Sequence, residues 1–237
     1  MTGTLINVAT VLAGTLIGVT AGGRLSASAQ QRVLAGLGMI TLVIGVDLAL
    51  AWGREDTTSG TPLYVLGGIL FGGLIGEAIG IERRLEALGD AIQRKLSRPG
   101  AASTVSEGFV TASLLFCVGS LTVVGSIQDG LTGDYSTLAT KAVLDGFAAV
   151  ALAATLGWGV GLSALTVLLV QGTITLGAGL FDDLLQGEAL AAMTSAGGVT
   201  IIGIALKLLD LKDVKVGNFL PALVIAPALV GLVSLVR

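Results

Sequence analysis

The feature that most constrains the fold is a series of eight apolar segments, each about as long as a membrane-spanning helix. They cover residues 4–22, 33–53, 62–80, 108–127, 139–157, 160–181, 188–209 and 217–236. A helix needs about 20 apolar residues to cross the hydrocarbon core of a bilayer. The 53% share of hydrophobic residues agrees with a lipid-embedded chain. We therefore predict an all-α, polytopic transmembrane helical bundle of about eight spans, forming a single transmembrane domain over residues 1–237.

Composition excludes several classes of protein. The chain has no histidine and a single cysteine, Cys117, within an apolar stretch. Neither a disulfide framework nor a histidine-based metal site is therefore expected. No basic run suggests a nucleic acid partner. Because no nucleophile–base set, metal-ligand cluster or glycine-rich phosphate loop is present in the sequence, we expect no enzyme and no cofactor, and we leave metal binding open.

Basic residues are distributed unequally between alternate loops. Arg54 and Arg237, with Lys141 near the fourth loop, belong to one side. The first, third and seventh loops hold nine basic residues: Arg24, Arg32, Arg83, Arg84, Arg94, Lys95, Arg98, Lys212 and Lys215. Cytoplasmic loops carry an excess of Lys and Arg, so both termini are predicted outside and the 82–106 loop inside. Six spans with two re-entrant hairpins would satisfy the same asymmetry.

The 82–106 loop contains a segment with helical periodicity. Residues 82–98 place Leu85, Leu88, Ile92 and Leu96 at helical spacing among charged residues, which predicts a cytoplasmic amphipathic helix. An ordinary solvated extension of the third span and a surface that docks a lipid or a partner are both compatible with this pattern.

A polar island separates the fourth and fifth apolar segments. It contains Gln128, Asp129 and Asp134, followed by Lys141 and Asp145. The last two are four residues apart on one helical face, so they can form an ion pair. Ionisable groups near the hydrocarbon core are costly unless they pair or face water, and they often mark an ion or solute path. A purely structural ion pair, and a surface turn for the two earlier acids, are the alternative interpretations.

The surroundings of the island favour a cation as its ligand. Gly130 and Gly133 favour unwound backbone beside Asp129, with carbonyl groups turned inward. Gln171 lies in the middle of the sixth segment, where joining two helices is its alternative role. Asn218 lies shortly before a proline that breaks the eighth segment. Oxygen ligands of this kind suit a hard cation or an ammonium group. The candidate substrate- or ion-binding residues are Gln128, Asp129, Lys141, Asp145, Gln171 and Asn218.

Short matches at an offset of 158 residues suggest an internal repeat. They pair Gly14-Thr15 with Gly172-Thr173, Ile44-Gly45 with Ile202-Gly203, and Gly73-Leu74 with Gly231-Leu232. They predict an inverted repeat of spans 1–3 and 6–8, an arrangement typical of transporters. Chance alignment of glycine- and leucine-rich segments is the alternative. Glycines spaced four apart in the first and third spans predict close helix packing, within the chain or in a homodimer.

Several stretches resemble a known family. Residues Glu107 to Gly119, Gly125 to Asp134, Lys141 to Gly146, Gln171-Gly172 and Gly217 to Leu223 are similar to motifs of the DUF554 family of bacterial integral-membrane proteins. The resemblance extends along the whole chain. It implies a multi-pass protein of the bacterial cytoplasmic (inner) membrane, of a kind described only as a candidate transporter, and it supplies no substrate.

Two functional hypotheses follow. The first is a membrane transporter or channel for a small cation or an amine-bearing solute, with a path lined by the acids of spans 4 and 5. The alternative is a structural or regulatory membrane protein that docks a partner through the cytoplasmic 82–98 helix. Loss of function on changing the acids would favour the first hypothesis, and loss on changing the amphipathic helix would favour the second.

Overall fold

A computed structural model describes residues 1–22, 26–53, 57–85, 87, 91, 104–117, 120–180 and 185–234. Every element assigned within these ranges is helical. The α-helices are α1 (Thr2–Gly22), α2 (Ala27–Ala49), α3 (Thr61–Ile79), α4 (Thr104–Cys117), α5 (Ser120–Leu131), α6 (Ser136–Leu156), α7 (Gly159–Leu176), α8 (Gly187–Leu208) and α9 (Ala222–Ser234). Two short 3-10 helices cover Leu50–Gly53 and Val216–Phe219.

The predicted all-α transmembrane architecture of about eight spans is confirmed. Seven helical segments within the described ranges are long and apolar enough to cross a membrane, and the pair α4–α5 makes up to eight if it counts as one span. The two helices of that pair are bent by 61° at a break of a few residues. The predicted fourth span, 108–127, is therefore two helices rather than one straight helix.

The chain divides into two compact units. In the first, α1 packs against α6 and α7, and α4 packs against α7. Helices α1 and α6 approach each other very closely along a glycine seam formed by Gly14, Gly18 and Gly22. A Cβ atom on any of these three residues would lie 2.3–2.4 Å from a backbone carbonyl oxygen of α6. A side chain does not fit at such distances, so the α1 stripe serves packing within the chain. The homodimer and the single domain over 1–237 stay predictions.

The second unit is built on α3, α8 and α9, which contact one another. Its core is formed by small side chains: Val65, Ala192, Ala196, Ala222 and Ala226. Gly68, Gly72 and Gly76 of α3 lie directly against α9 and the segment before it. Small residues at such interfaces let helix backbones approach closely in a lipid environment, where dispersion contacts replace the hydrophobic effect.

Turns and breaks follow local residue chemistry. Gly157 adopts a φ of 76° in the tight turn that joins α6 to α7, a positive value that glycine adopts readily. The eighth predicted span is broken, since the 3-10 helix ends at Phe219 and α9 begins just after Pro221. Large apolar side chains such as Leu74, Phe147 and Leu176 are strongly exposed, as expected of surfaces that face lipid.

The segment that follows α3 begins as the sequence predicts. Gly80, with a φ of 71°, ends α3, and residues 81–85 are again helical. Most of the predicted amphipathic pattern, including Leu88, Ile92 and Leu96, lies outside the described residues. Its first acid, Glu82, is buried, which differs from a fully solvated extension. The inverted repeat and the orientation of the termini stay predictions.

Candidate functional site

The centre of the first unit is a buried ion pair. Lys141 and Asp145 lie one turn apart on α6 and are only 5% and 7% exposed. The Lys141 ammonium contacts the Asp145 carboxylate, as their i and i+4 spacing predicts. Asn7 of α1 donates a hydrogen bond from Nδ2 to the same carboxylate at 2.9 Å. The pair is thus held between two membrane-spanning helices.

The Lys141 ammonium also binds the end of another helix. Its Nζ donates a hydrogen bond to the backbone carbonyl oxygen of Phe116 at 2.6 Å. Phe116 is in the last turn of α4, where carbonyl groups have no partner within the helix. The C-terminal end of a helix carries a partial negative charge, which attracts a cation. The break between α4 and α5 therefore supplies an acceptor at the ion pair.

Asp129, a residue of α5, is buried against the N-terminus of α1. Its Oδ2 accepts a hydrogen bond from the backbone N–H of Gly3 at 3.0 Å and lies 2.9 Å from the α-amino nitrogen of Met1. Backbone N–H groups and the helix dipole make this end of a helix favourable for an anion. Gly3 and Asn7 are one helical turn apart, so Asp129 and Asp145 contact α1 about 6 Å apart along its axis.

The expectation of unwound backbone at Asp129 is wrong. Helix α5 continues to Leu131 and includes both Asp129 and Gly130. Gly130 serves packing instead, because a Cβ atom there would lie 2.3 Å from the carbonyl oxygen of Thr175 on α7. Only Gly133, with a φ of 74°, adopts a left-handed conformation, in the turn that follows.

The other two polar residues of the island have local roles. Gln128 is half-buried, and its Oε1 accepts a hydrogen bond from the Thr137 hydroxyl at 2.8 Å, joining α5 to α6. Asp134 is exposed, and its Oδ1 accepts a hydrogen bond from the backbone N–H of Ser136 at 3.0 Å. That bond to the backbone favours the ionised form and lowers the pKa of Asp134 below its usual value. This matches the interpretation of Asp134 as part of a surface turn.

Gln171 is fully buried on α7, and neither of its side-chain polar atoms has a hydrogen-bond partner within the described part of the chain. The same holds for Oδ1 of Asn7 and for hydroxyl groups of the first unit, namely those of Thr4, Thr15, Ser126 and Thr175. Leaving one such buried group unsatisfied costs roughly 1–3 kcal/mol. The alternative role of Gln171 as a hydrogen bond between helices is not observed here. These atoms are therefore available to a ligand or to water.

Asn218 belongs to the second unit, where it lies at the break before α9. Its Nδ2 donates a hydrogen bond to Glu77 at 2.5 Å, and its Oδ1 accepts one from the backbone N–H of Glu82 at 2.8 Å. The Glu82 carboxylate in turn accepts a hydrogen bond from the backbone N–H of Gly217 at 2.6 Å. Residues at the end of α3 and shortly after it therefore provide hydrogen-bond partners for polar groups at the break predicted at Pro221.

The second unit also contains an apolar cavity of about 250 Å³. Apart from Thr200, whose hydroxyl is bonded to the Ala196 carbonyl at 3.0 Å, its lining is apolar or glycine: Ile69, Val199, Ile202, Gly203, Leu206, Val214, Val216 and Phe219. None of the predicted site residues lines it. The cavity is therefore suited to apolar groups and not to a charged solute.

Three of the six predicted site residues meet at α1. Asp129 and Asp145 both bind α1 directly, and Lys141 joins them through its pair with Asp145. Sequence reasoning did not assign Asn7 to the site. It also missed the carbonyl group of Phe116, for which the only signal is the nearby glycine that interrupts an apolar run. Within the described ranges, no group of three or more Cys, Asp or Glu side chains could hold a metal ion.

Comparisons with known proteins agree with the resemblance noted in the sequence. The family model described as "Protein of unknown function (DUF554)" matches residues 2–231. The uncharacterized membrane protein YdfK of Bacillus subtilis (strain 168) is 31% identical over 230 residues, which cover 97% of this chain and 96% of the relative. The uncharacterized protein YqgA of Escherichia coli (strain K12) is 29% identical over 227 residues, 94% of each chain. No solved structure matches the chain. The chain is a multi-pass membrane protein that belongs to the DUF554 family.

Proposed function

We propose that this protein is a transporter or channel for a small cation or an amine-bearing solute, with Asp145 as its principal binding group. The observation that carries the proposal is the buried contact of Lys141 with Asp145 inside a membrane-spanning helix. Taking two charges out of water is expensive, and a buried ion pair is weak evidence for added stability. Ionisable groups within transmembrane helices often belong to a path for ions or solutes.

The ligands around the pair favour a cation over an anion. Two oxygen acceptors contact the Lys141 ammonium, the Asp145 carboxylate and the Phe116 carbonyl. Both already hold a primary ammonium in hydrogen-bonding contact. A solute ammonium or a small metal cation that takes the place of Lys141 would meet the same acceptors. Lys141 then acts as a tethered competitor that fills the site when no solute is bound.

Asp129 is the second acid in the proposed path. Its contact with α1 at Gly3 lies one helical turn from the contact of Asp145 with Asn7. The backbone N–H of Gly3 and the α-amino group of Met1 partly compensate its charge. A cation that passes between these two carboxylates would have a negative group within reach over about one helical turn. The bent pair α4–α5 supports the proposal further, because it brings the carbonyl group of Phe116, in the last turn of α4, to the Lys141 ammonium.

Flux in proteoliposomes tests this function. Purified protein would be assayed with a panel of monovalent cations, divalent cations and small primary amines. We expect Asp145→Asn to abolish the flux of one class of solute and Asp129→Asn to reduce it. Asp134→Asn is the matched control, since it removes an acid that lies in the exposed turn. Flux that is indifferent to Asp145→Asn, in protein that is still folded at the temperature of the assay, would refute the assignment of the path.

A further inference from the structure

Unpartnered polar atoms are concentrated on two neighbouring helices of the first unit. Thr4 and Asn7 lie one turn apart on α1, and Gln171 and Thr175 lie one turn apart on α7. Each contributes at least one side-chain atom that is buried and has no hydrogen-bond partner within the described part of the chain. Since α1 packs against α7, these groups belong to two helices that contact each other.

The register of α1 and α7 places Gln171 near the acidic residues. A Cβ atom on Gly161 would lie 3.1 Å from the side chain of Thr15, and one on Gly172 would lie 3.5 Å from that of Met1. The two helices therefore run antiparallel, and Gln171 is level with the first turn of α1. Asp129 binds α1 at Gly3 in that same turn, and Asp145 binds α1 through Asn7 one turn further on.

The chemistry of Gln171 restricts what can satisfy it. Its Oε1 is an acceptor and its Nε2 is a donor of two hydrogen bonds, and both are unpartnered. A bare metal ion would bind the oxygen and leave the nitrogen without an acceptor. A primary ammonium would do the same, because it has donors only. A carboxamide satisfies both atoms at once, since it carries an acceptor and a donor side by side.

We propose that Gln171 determines the specificity of the site by binding the uncharged amide or hydroxyl group of a small organic amine whose ammonium is held at Asp145. This inference rests on the proposed function and narrows its solute from cations in general to bifunctional amines. The axial separation of about one helical turn between the two binding positions suits a molecule with a short carbon chain between its ammonium and its second polar group. Inorganic cations lack the second group.

Equilibrium binding to the purified full-length protein tests the inference. The probes are glycinamide, which has an ammonium and a carboxamide, and ethylamine, which has the ammonium alone. We expect the wild type to bind glycinamide at least tenfold more tightly than ethylamine. Gln171→Leu should remove this preference and change the affinity for ethylamine by less than about threefold, as expected when only the uncharged contact is lost. Thr173→Val, on the exposed face of the same helix, should leave both affinities unchanged.

The outcomes separate this inference from the function on which it rests. Equal affinities in the wild type, or a preference that survives Gln171→Leu, would refute the role of Gln171. Binding of both amines that is unaffected by Asp145→Asn would refute the cation site itself. Gln171→Met provides a second variant of similar volume, so that the comparison does not depend on the folding of one substitution. Melting temperatures of all variants would be measured in the same detergent.

Discussion

Substituting the two members of the Lys141–Asp145 pair, singly and together, tests whether they stabilise each other. Asp145→Asn leaves the Lys141 ammonium buried with the Phe116 carbonyl as its partner. Lys141→Met leaves the Asp145 carboxylate buried with Asn7 as its donor. The double variant removes both charges and keeps side chains of similar volume. In each single variant one buried charge loses its counter-ion, and in the double variant neither charge is present.

The magnitudes follow from the geometry. Removing one partner of a buried pair costs about 3–5 kcal/mol in the free energy of unfolding. We expect the lower end, about 3 kcal/mol for each single variant, because each remaining charge keeps one hydrogen bond and the carboxylate can also take up a proton. The double variant loses the hydrogen bond from Lys141 to Phe116, which is worth about 1 kcal/mol. Its destabilisation should therefore be smaller than the sum of the singles by roughly 5 kcal/mol.

Unfolding in mixed detergent micelles, followed with increasing denaturing detergent, measures these free energies for all four proteins. Flux in proteoliposomes is then measured on the same preparations. We expect the double variant to be nearly as stable as the wild type and inactive. Additive destabilisation, with the double variant near 6 kcal/mol, would show that the two groups do not interact. A stable double variant with wild-type flux would show that the pair is only structural.

Four further substitutions test separate parts of the structure. Gly18→Leu forces a side chain into a position where a Cβ atom would already lie 2.4 Å from a backbone oxygen, so we expect a loss of about 1–3 kcal/mol. Its control is Gly36→Ala, at a helical glycine where a Cβ atom would have no neighbour within 4 Å, and this variant should gain up to about 1 kcal/mol of stability. Similar melting temperatures for Gly18→Leu and Gly36→Ala would contradict the packing of α1 against α6. Asp129→Asn should cost about 1–2 kcal/mol by removing an anion from the N-terminus of α1, and an unchanged free energy of unfolding would argue against that contact. Gln171→Leu should stabilise the solute-free protein by about 1–3 kcal/mol, since it removes two buried unpartnered polar atoms, and a lower melting temperature would mean that the amide is satisfied without solute. Because the pKa of Asp134 is lowered, its contribution to stability is complete above the usual Asp pKa of about 3.9 and is lost as the pH falls through the lowered value. The melting temperatures of wild type and Asp134→Asn should therefore converge only at strongly acidic pH, and convergence near neutral pH would contradict the hydrogen bond to Ser136.

The positions of the spans could be predicted from the sequence because length and apolarity alone determine them. The segments 62–80 and 139–157 differ from α3 and α6 by at most three residues at either end. The i and i+4 spacing of Lys141 and Asp145 likewise predicted their contact, since it depends only on the geometry of one helix.

Contacts between distant parts of the chain could not be predicted in this way. Asn7 and Asp145 are separated by 138 residues, and no periodicity indicates which span lies against which. Gly130 illustrates a second difficulty, because a glycine in an apolar segment permits either unwound backbone or close packing against another helix. Here the glycine serves packing, because the carbonyl oxygen of Thr175 lies directly beside it. Thr175 belongs to a different span, α7, so the local sequence around Gly130 does not reveal this contact.

The glycine seam between α1 and α6 has a consequence for how the protein can move. With carbonyl oxygens of α6 lying where side chains of α1 would begin, neither helix can slide or rotate past the other without steric overlap. Asn7 and Asp145 lie on these two helices, so their hydrogen bond is kept when α1 and α6 move together. Phe116 lies on a third helix, α4. In the transport that we propose, a movement of α4 against these two helices would break the contact between Lys141 and Phe116 and keep the one between Asn7 and Asp145.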